Sequence, residues 1–294
     1  VACFRPLSAY RDRQGGEVRL GRRAGEQGDR LELPCGRCIG CRLDRARSWT
    51  LRIGHEAMLH DRNLFLTLDY APEHLGSWSL EYSDYQSFMK RLRKAVGRVR
   101  FFVAGEYGAR YRRPHFHAIL FGCDFKDKRQ LVNGTFRSAQ AEKLWGNGQV
   151  VIADVTPERA AYVAGYTFEK TYGAAADDKY EDLVDVRTGE VFRRRPEFCA
   201  MSRRPGIGAG WYDKYGSDLF PHDFAVGGDG NRHKVPRYYW NKFQAEAPGE
   251  VIEELQHRRF LRAMEVDRVE NSERRRADRE EVTWAHVLHR AREH

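Results

Sequence analysis

From residue 63 onward the spacing of apolar residues switches between a period of two and a period of three to four, which predicts strands alternating with helices. In 63–69, Leu64, Leu66 and Leu68 alternate with Phe65, Thr67 and Asp69, as a strand requires. In 83–96, Tyr85, Phe88, Leu92 and Val96 recur at helical spacing toward a core, with Ser83 and Gln86 as a capping box and Gly97 as the stop. Residues 99–106 (Val-Arg-Phe-Phe-Val-Ala-Gly-Glu) predict a strand, and the Gly/Arg/Pro-bearing stretch 107–114 predicts a hairpin loop into a second strand reaching Phe121. A short helix over 138–145 and a strand over 149–155 follow. Thr156-Pro157-Glu158 then opens a further helix, with an N-cap hydroxyl, Pro at the first helical position and an acid in the first turn. The order β-α-β-β-α-β, then a helix, predicts an α+β fold: a ferredoxin-like or RRM-like antiparallel sheet with helices on one face and an open face for a nucleic-acid strand.

The flanks are less regular. Residues 42–59 have helical character. Residues 173–196 read as a mobile charged insertion with a hairpin at Thr188-Gly189, and its Arg193-Arg194-Arg195 is a candidate for phosphate contact against the commoner solvated run. Residues 205–240 are rich in Gly, Pro and aromatics and are expected to wrap the core, with a helix near 211–215. Residues 245–294 read as charged helix, a packing arm or an exposed tail. The expected division is a Cys-rich module with a helix (1–61), a main α+β domain with its wrapping region (62–244) and the helical tail (245–294). No internal repeat is visible.

With 51 Lys and Arg against 42 Asp and Glu, the net charge of +9 suits a polyanionic partner, and aromatics at 12% offer rings for unpaired bases. No apolar run approaches membrane-spanning length, so the expected setting is a cytosol in which the six cysteines stay reduced and no membrane partner is needed. Cys35, Cys38 and Cys41 follow a C-x2-C-x2-C spacing that Cys3 can complete. Four thiolates suit a structural Zn²⁺, with an iron-sulfur cluster or plain thiols as the other readings. Cys123 and Cys199 have no such partners and are expected to be ordinary buried residues.

The chemistry concentrates at His115-Phe116-His117, where strand alternation puts both imidazoles on one face. Alone, the pair suits packed rings as well as a metal site. Glu106, at the loop end of the preceding strand, would complete a His, His, carboxylate set for a hard or borderline divalent ion, Mg²⁺ or Mn²⁺, with open positions for phosphate oxygen. Tyr162 and Tyr166, four residues apart on the last helix, project from one helical face beside Val163 and Phe168. By itself such a pair more often belongs to a core or its rim. Beside a metal site, a tyrosine oxygen can attack a DNA phosphodiester, keep the 5′ phosphate as an ester and release a 3′ hydroxyl. A second tyrosine permits a second transfer.

Three sets of residues resemble the motifs of the HUH endonucleases, and among them the replication initiators of microviruses, especially the gokushovirus branch: Phe65-Leu66-Thr67-Leu68-Asp69-Tyr70, Glu106 with Pro114-His115-Phe116-His117, and Tyr162-Val163-Ala164-Gly165-Tyr166. Cys35-Gly36-Arg37-Cys38-Ile39-Gly40-Cys41 and Met201-Ser202-Arg203-Arg204-Pro205-Gly206-Ile207-Gly208 look like that branch as well. The resemblance covers residues 1–240 and implies a rolling-circle initiator in a host bacterial cytoplasm. It would act on single-stranded DNA at the phage origin, with a host replication helicase as a candidate partner. Many relatives carry a Lys three residues after the first tyrosine, where this chain has Gly165. Lys170, a turn beyond Tyr166, is the expected substitute, which leaves the order of the tyrosines open while both are expected to act. The alternatives are a plasmid initiator, relaxase or transposase of the same superfamily, or a non-enzymatic zinc-containing nucleic-acid-binding protein.

Overall fold

The computed structural model describes residues 3–12, 18–21, 28–75, 78–108, 111–131, 133–166, 180, 182–184, 188–220, 222–265, 269 and 271–292. Three short strands, β1 (Leu7–Asp12), β2 (Val18–Leu20) and β3 (Gly28–Leu33), precede helix α1 (Ile39–Ala57). The central run is β4 (Asn63–Asp69), α2 (Tyr82–Val96), β5 (Arg100–Tyr107), β6 (Pro114–Phe121), β7 (Arg129–Gln130), β8 (Phe136–Arg137), α3 (Ala139–Trp145), β9 (Val150–Asp154) and α4 (Pro157–Gly165). Then come β10 (Asp182–Val184), β11 (Val191–Arg193), β12 (Phe198–Met201), α5 (Ala209–Tyr215), β13 (Ala225–Val226), β14 (Arg232–His233), α6 (Arg237–Glu246), α7 (Gly249–Met264) and α8 (Glu273–Arg292). The chain separates into two units, Val1–Arg45 with Ala247–His294, and Ala46–Glu246.

The larger unit is built on a seven-stranded sheet of order β12-β5-β6-β4-β9-β8-β7 with antiparallel neighbours. Its β5-β6-β4-β9 core follows the ferredoxin-like order that the period switches predict. Helices α2 and α3 lie on one face, where Tyr85, Phe88, Leu92 and Trp145 pack on Leu64, Leu66, Leu68, Phe116 and Leu120. The opposite face is not open along its length, contrary to the expectation of helices on one side only. There Ile53 of α1, Ala160 and Val163 of α4, and Ile207 cover Phe65, Phe102, Ile119 and Phe121. The reason is in the strands themselves: both alternate positions are apolar, and a sheet apolar on both faces must be covered on both.

Local chemistry explains the helix ends. The Ser138 hydroxyl accepts from the Ala141 N–H at 3.0 Å to open α3, and that of Thr156 accepts from the Arg159 N–H at 3.2 Å to open α4. The capping box at Ser83 does not form: α2 starts after Glu81, without a side-chain cap, and Val96 is exposed in its last turn. Gly97 does end α2, at φ 87°. The hairpin expected at Thr188-Gly189 joins β10 to β11, with Gly189 at φ 73°.

The wrapping region is anchored by buried charge. Glu56 accepts from the Gly208 N–H at 2.7 Å and from Arg100, whose guanidinium also donates to the carbonyls of Pro205 and Gly206, each at 3.0 Å. At Gly208 (φ 79°) a Cβ would collide with the Tyr239 hydroxyl, so only glycine fits. Arg52 is sandwiched between the rings of Trp49 and Tyr238, 4.1 Å from each centroid.

His55 is buried between Trp211, stacked at 3.5 Å, and the Tyr239 hydroxyl at 3.0 Å. Burial pulls its imidazole down to about 4. Below pH 6.5 the unfolded chain takes up a proton that the folded chain refuses, so stability is lost as pH falls toward 4. The loss is at most about 3 kcal/mol. Urea unfolding at pH 7 and pH 4.5 should show a larger difference for the wild type than for His55→Gln. Equal differences would remove His55 as the cause.

In the smaller unit β1 pairs antiparallel with both β2 and β3. Residues 245–294 are helical apart from short breaks among the described residues, and α8 acts as a packing arm. Arg276 donates to both carboxylate oxygens of Glu32 (3.0 and 2.5 Å), and buried Glu280, one turn on, accepts from Arg5 at 2.7 Å.

Candidate active site

The strand register assembles the site. Glu106 of β5 pairs with His115 of β6, and His117 pairs with Ala104 on one side and Thr67 of β4 on the other. Glu106, His115, His117 and Thr67 therefore project from one face, at the end of the sheet where the β5–β6 hairpin turns. His115 Nε2 and His117 Nε2 lie 2.6 and 2.8 Å from Glu106 Oε1 and 3.1 Å from each other. The rings are perpendicular, with centroids 4.8 Å apart.

The outer nitrogens fix which atoms face inward. His115 Nδ1 donates to the Arg113 carbonyl at 3.2 Å, and His117 Nδ1 meets the Thr67 hydroxyl at 3.1 Å. Both Nε2 atoms are thereby directed at the carboxylate, the usual arrangement of metal-binding histidines held from behind by oxygen. Burial pushes the Glu106 carboxyl up, but its hydrogen bonds to the two histidines outweigh this and bring it down to about 2. Burial pulls His115 down, and Glu106 more than compensates, so the imidazole is raised above its ordinary range. These three residues can hold a metal ion. One carboxylate and two imidazoles, largely buried at a sheet end, fit a divalent ion with positions left for other ligands.

The tyrosines are not equivalent. Tyr162, 46% exposed, places its hydroxyl 3.4 Å from His117 Nε2. Tyr166 caps α4, is only 8% exposed, and lies parallel to the His117 ring at 5.8 Å. Burial, then the charge of Glu106, pushes its phenol far above the ordinary range. The two phenol rings meet edge to face at 5.1 Å. Lys170, and Phe168 with it, lie outside the described residues. Sequence reasoning missed Thr67 and the Arg113 carbonyl as supports for the histidines, and Phe65 as the ring packed on His117 at 5.6 Å. The signal was the parity of β4, which sets Phe65 and Thr67 on one face. Only the β4–β6 register joins them to His117.

The cysteine set also comes together. Cys3, Cys35, Cys38 and Cys41 can hold a second ion, with Cys3 and Cys38 sulfurs 3.9 Å apart and those of Cys35 and Cys41 4.0 Å apart. A disulfide would need about 2.05 Å. A tetrahedral ion with metal–sulfur bonds of about 2.3 Å spaces its ligands about 3.8 Å apart, which these distances match. Backbone N–H groups already point at the sulfurs: Cys35 to Cys3 at 3.3 Å, Phe4 to Cys38 at 3.3 Å, and Cys38 to Cys35 at 3.3 Å. Cys123 is buried in the core, as expected, while Cys199 on β12 is only partly so.

A family model of replication-associated proteins of the ORF2 type matches residues 63–171, the span that carries β4 to α4. Replication-associated protein VP4 of Bdellovibrio phage phiMH2K is 29% identical, over 85% of this chain and 80% of its own length. Replication-associated protein ORF2 of Spiroplasma virus 4 is 25% identical, over 84% of this chain and 81% of its own length. Replication-associated protein ORF4 of Chlamydia phage 1 is 33% identical, over 47% of this chain and 38% of its own length. No solved structure gives a significant match. No helix among the described residues is long and apolar enough to cross a membrane. Relatives that align over most of the chain, and a family model that spans both the histidine strand and the tyrosine helix, lead to one conclusion: the chain is similar to the replication-associated proteins of phages, which supports a microvirus-like replication initiator.

Proposed function

We propose that the chain nicks and rejoins single-stranded DNA at a replication origin, with Tyr162 as the first nucleophile. One observation carries this reading: a half-exposed phenol stands 3.4 Å from His117 Nε2 at the edge of a converged Glu-His-His set. In the first step the Tyr162 oxygen attacks phosphorus, the phosphorus–O3′ bond breaks, the phenolic proton passes to solvent, and the departing 3′ oxygen is protonated. The products are a 5′ phosphotyrosine ester and a free 3′ hydroxyl. Glu106, His115 and His117 would hold Mg²⁺ or Mn²⁺, which when bound supplies Lewis-acid polarisation of the scissile phosphate. Thr67 and the Arg113 carbonyl keep the two Nε2 atoms aimed. Tyr166 waits behind Tyr162 for the second transfer, the one that closes the circle in rolling-circle replication.

The test is incubation with single-stranded origin segments and Mn²⁺, followed by a denaturing gel. A covalent protein–DNA band that persists in denaturant supports the reading. Tight binding without a covalent band, under conditions where Mn²⁺ binds, would leave a nucleic-acid-binding protein.

The four cysteines are proposed to hold a structural Zn²⁺, which would stabilise a segment with little apolar core of its own. Elemental analysis of protein purified without added metal should give about one zinc per chain, lost with N-terminal structure on strong chelation. Absence of both zinc and iron under reducing conditions would leave four plain thiols.

A further inference from the structure

We infer that Arg112 and Arg194 form a phosphate-binding site for single-stranded DNA at the hairpin end of the main sheet, distinct from the Glu-His-His set. This rests on the proposed DNA substrate and adds a contact that holds the strand without touching the bond that breaks.

Of the three consecutive arginines that the sequence singles out, two are engaged within the protein. Arg193 donates to the Tyr180 carbonyl at 3.2 Å, and Arg195 pairs with Glu81 at 2.7 Å. Arg194 differs. Its guanidinium carbon lies over the Tyr107 ring at 5.1 Å, and its Nε is buried with no hydrogen-bond partner among the described residues. Tyr107 is an immobile platform, because its hydroxyl accepts from the Leu80 N–H at 3.1 Å and donates to the Arg195 carbonyl at 2.8 Å. A buried donor left unmade is costly, so a ligand that accepts from it is favoured.

Arg112 approaches from the β5–β6 hairpin. It is one of two non-glycine residues with positive φ among those described, at 48°, a conformation that costs energy and recurs at functional sites. The turn is fixed by Arg112 N–H to the Gly108 carbonyl (2.8 Å), Gly108 N–H to the Arg113 carbonyl (3.0 Å) and the Arg113 guanidinium to the Tyr70 carbonyl (2.6 Å). The Tyr107 ring beneath Arg194 belongs to a residue paired with Pro114, two residues beyond Arg112, which puts both arginines at the hairpin end, and burial together with the like charge of Arg112 lowers the Arg194 guanidinium from its ordinary range. The nearby carboxylate, Glu197, already takes a hydrogen bond from the buried Tyr180 phenol. Two neighbouring guanidiniums and an unmade donor form a site whose complement is a phosphodiester anion. Its place follows from the chain: Tyr107 succeeds Glu106, and Arg112 precedes His115 by three residues. A strand presenting one phosphate to the metal set can present a neighbouring phosphate here.

The experiment measures binding of a fluorescent single-stranded oligonucleotide by anisotropy, in EDTA, across a potassium chloride series. The proteins are wild type, Arg112→Gln, Arg194→Gln and the double variant. We expect about ten-fold weaker binding by the double variant near physiological salt, and a log–log salt slope shallower by about 0.7, the value for one lost phosphate contact on a single strand. Unchanged slopes in folded variants would overturn the site. If Arg194→Gln fails to melt cooperatively, Arg112→Gly serves instead, since it removes the charge while relieving the positive φ. Because binding is read without metal, it is independent of the covalent-adduct assay. Altered slopes with no adduct from wild type would keep this site and sink the nicking reading, and the converse result would sink this site alone.

Discussion

His117→Ala should lose divalent-ion binding and, with it, strand nicking, by about 10³-fold, the scale on which removal of a group that stabilises transition-state charge is felt. His117 has three roles at once: its Nε2 meets Glu106 at 2.8 Å and His115 at 3.1 Å, and its ring supports Tyr166. His115→Ala should behave similarly. Glu106→Ala should be milder, because water can replace one ligand of an octahedral ion. Thr67→Val should weaken Mn²⁺ affinity by about 10- to 100-fold without touching the ion, and Thr67→Ser should restore it, because the hydroxyl and not the methyl holds His117. Titration of Mn²⁺ followed by electron paramagnetic resonance checks affinity, and circular dichroism checks the fold. Wild-type Mn²⁺ affinity in His117→Ala would exclude this set as the ion's ligands. Affinity for DNA should change little, since arginine and lysine contacts with phosphate supply most of it.

The second large effect concerns the two phenols. Tyr162→Phe should reduce the first covalent adduct by about 10²- to 10³-fold, because no other phenol at the site among the described residues is both exposed and beside the histidines. Residual adduct in that variant should map to Tyr166 by peptide mass spectrometry, and the double Phe variant should form none. Tyr166→Phe should form the first adduct at a near-normal rate yet fail at strand rejoining. Its phenol is buried, and burial with the charge of Glu106 makes it hard to ionise, so it is expected not to attack first. Full rejoining by Tyr166→Phe would leave a single-nucleophile enzyme.

The parts of this molecule that are legible in the sequence are those governed by local rules. Alternation in 63–69 and the apolar, β-prone runs of 99–106 and 115–121 locate the three central strands, and Thr156-Pro157-Glu158 locates the start of α4 within a residue. Because His115 and His117 are two apart on a strand, their shared face follows from geometry alone. What local rules cannot supply is register. Thr67 becomes a support for His117 only because β4 aligns with β6 at that residue. The second helical layer escapes local rules for a related reason: Phe65, Phe102, Ile119 and Phe121 are visible as apolar, but their cover comes from Ile53 and Ile207, far away in the chain. Ser83 and Gln86 have the spacing of a capping box, yet the helix already begins at Tyr82, with Glu81 at the cap position and no side-chain cap. The unequal exposure of Tyr162 and Tyr166 is likewise invisible, because identical residues on one helical face differ only in what lies beneath them.

The β5–β6 hairpin separates the ligands without carrying any of them. Glu106 and His115 are fixed opposite each other by the ladder, so changes in the turn that spare Gly108 and Arg113 alter what projects from the sheet end and leave the ligand set in place. A one-residue slip of the strands themselves would instead turn both imidazoles into the α2–α3 core. Variation is thus cheap in the turn and ruinous in the ladder. On the proposed reading, laboratory libraries aimed at new DNA sequences should be confined to those few positions of the turn.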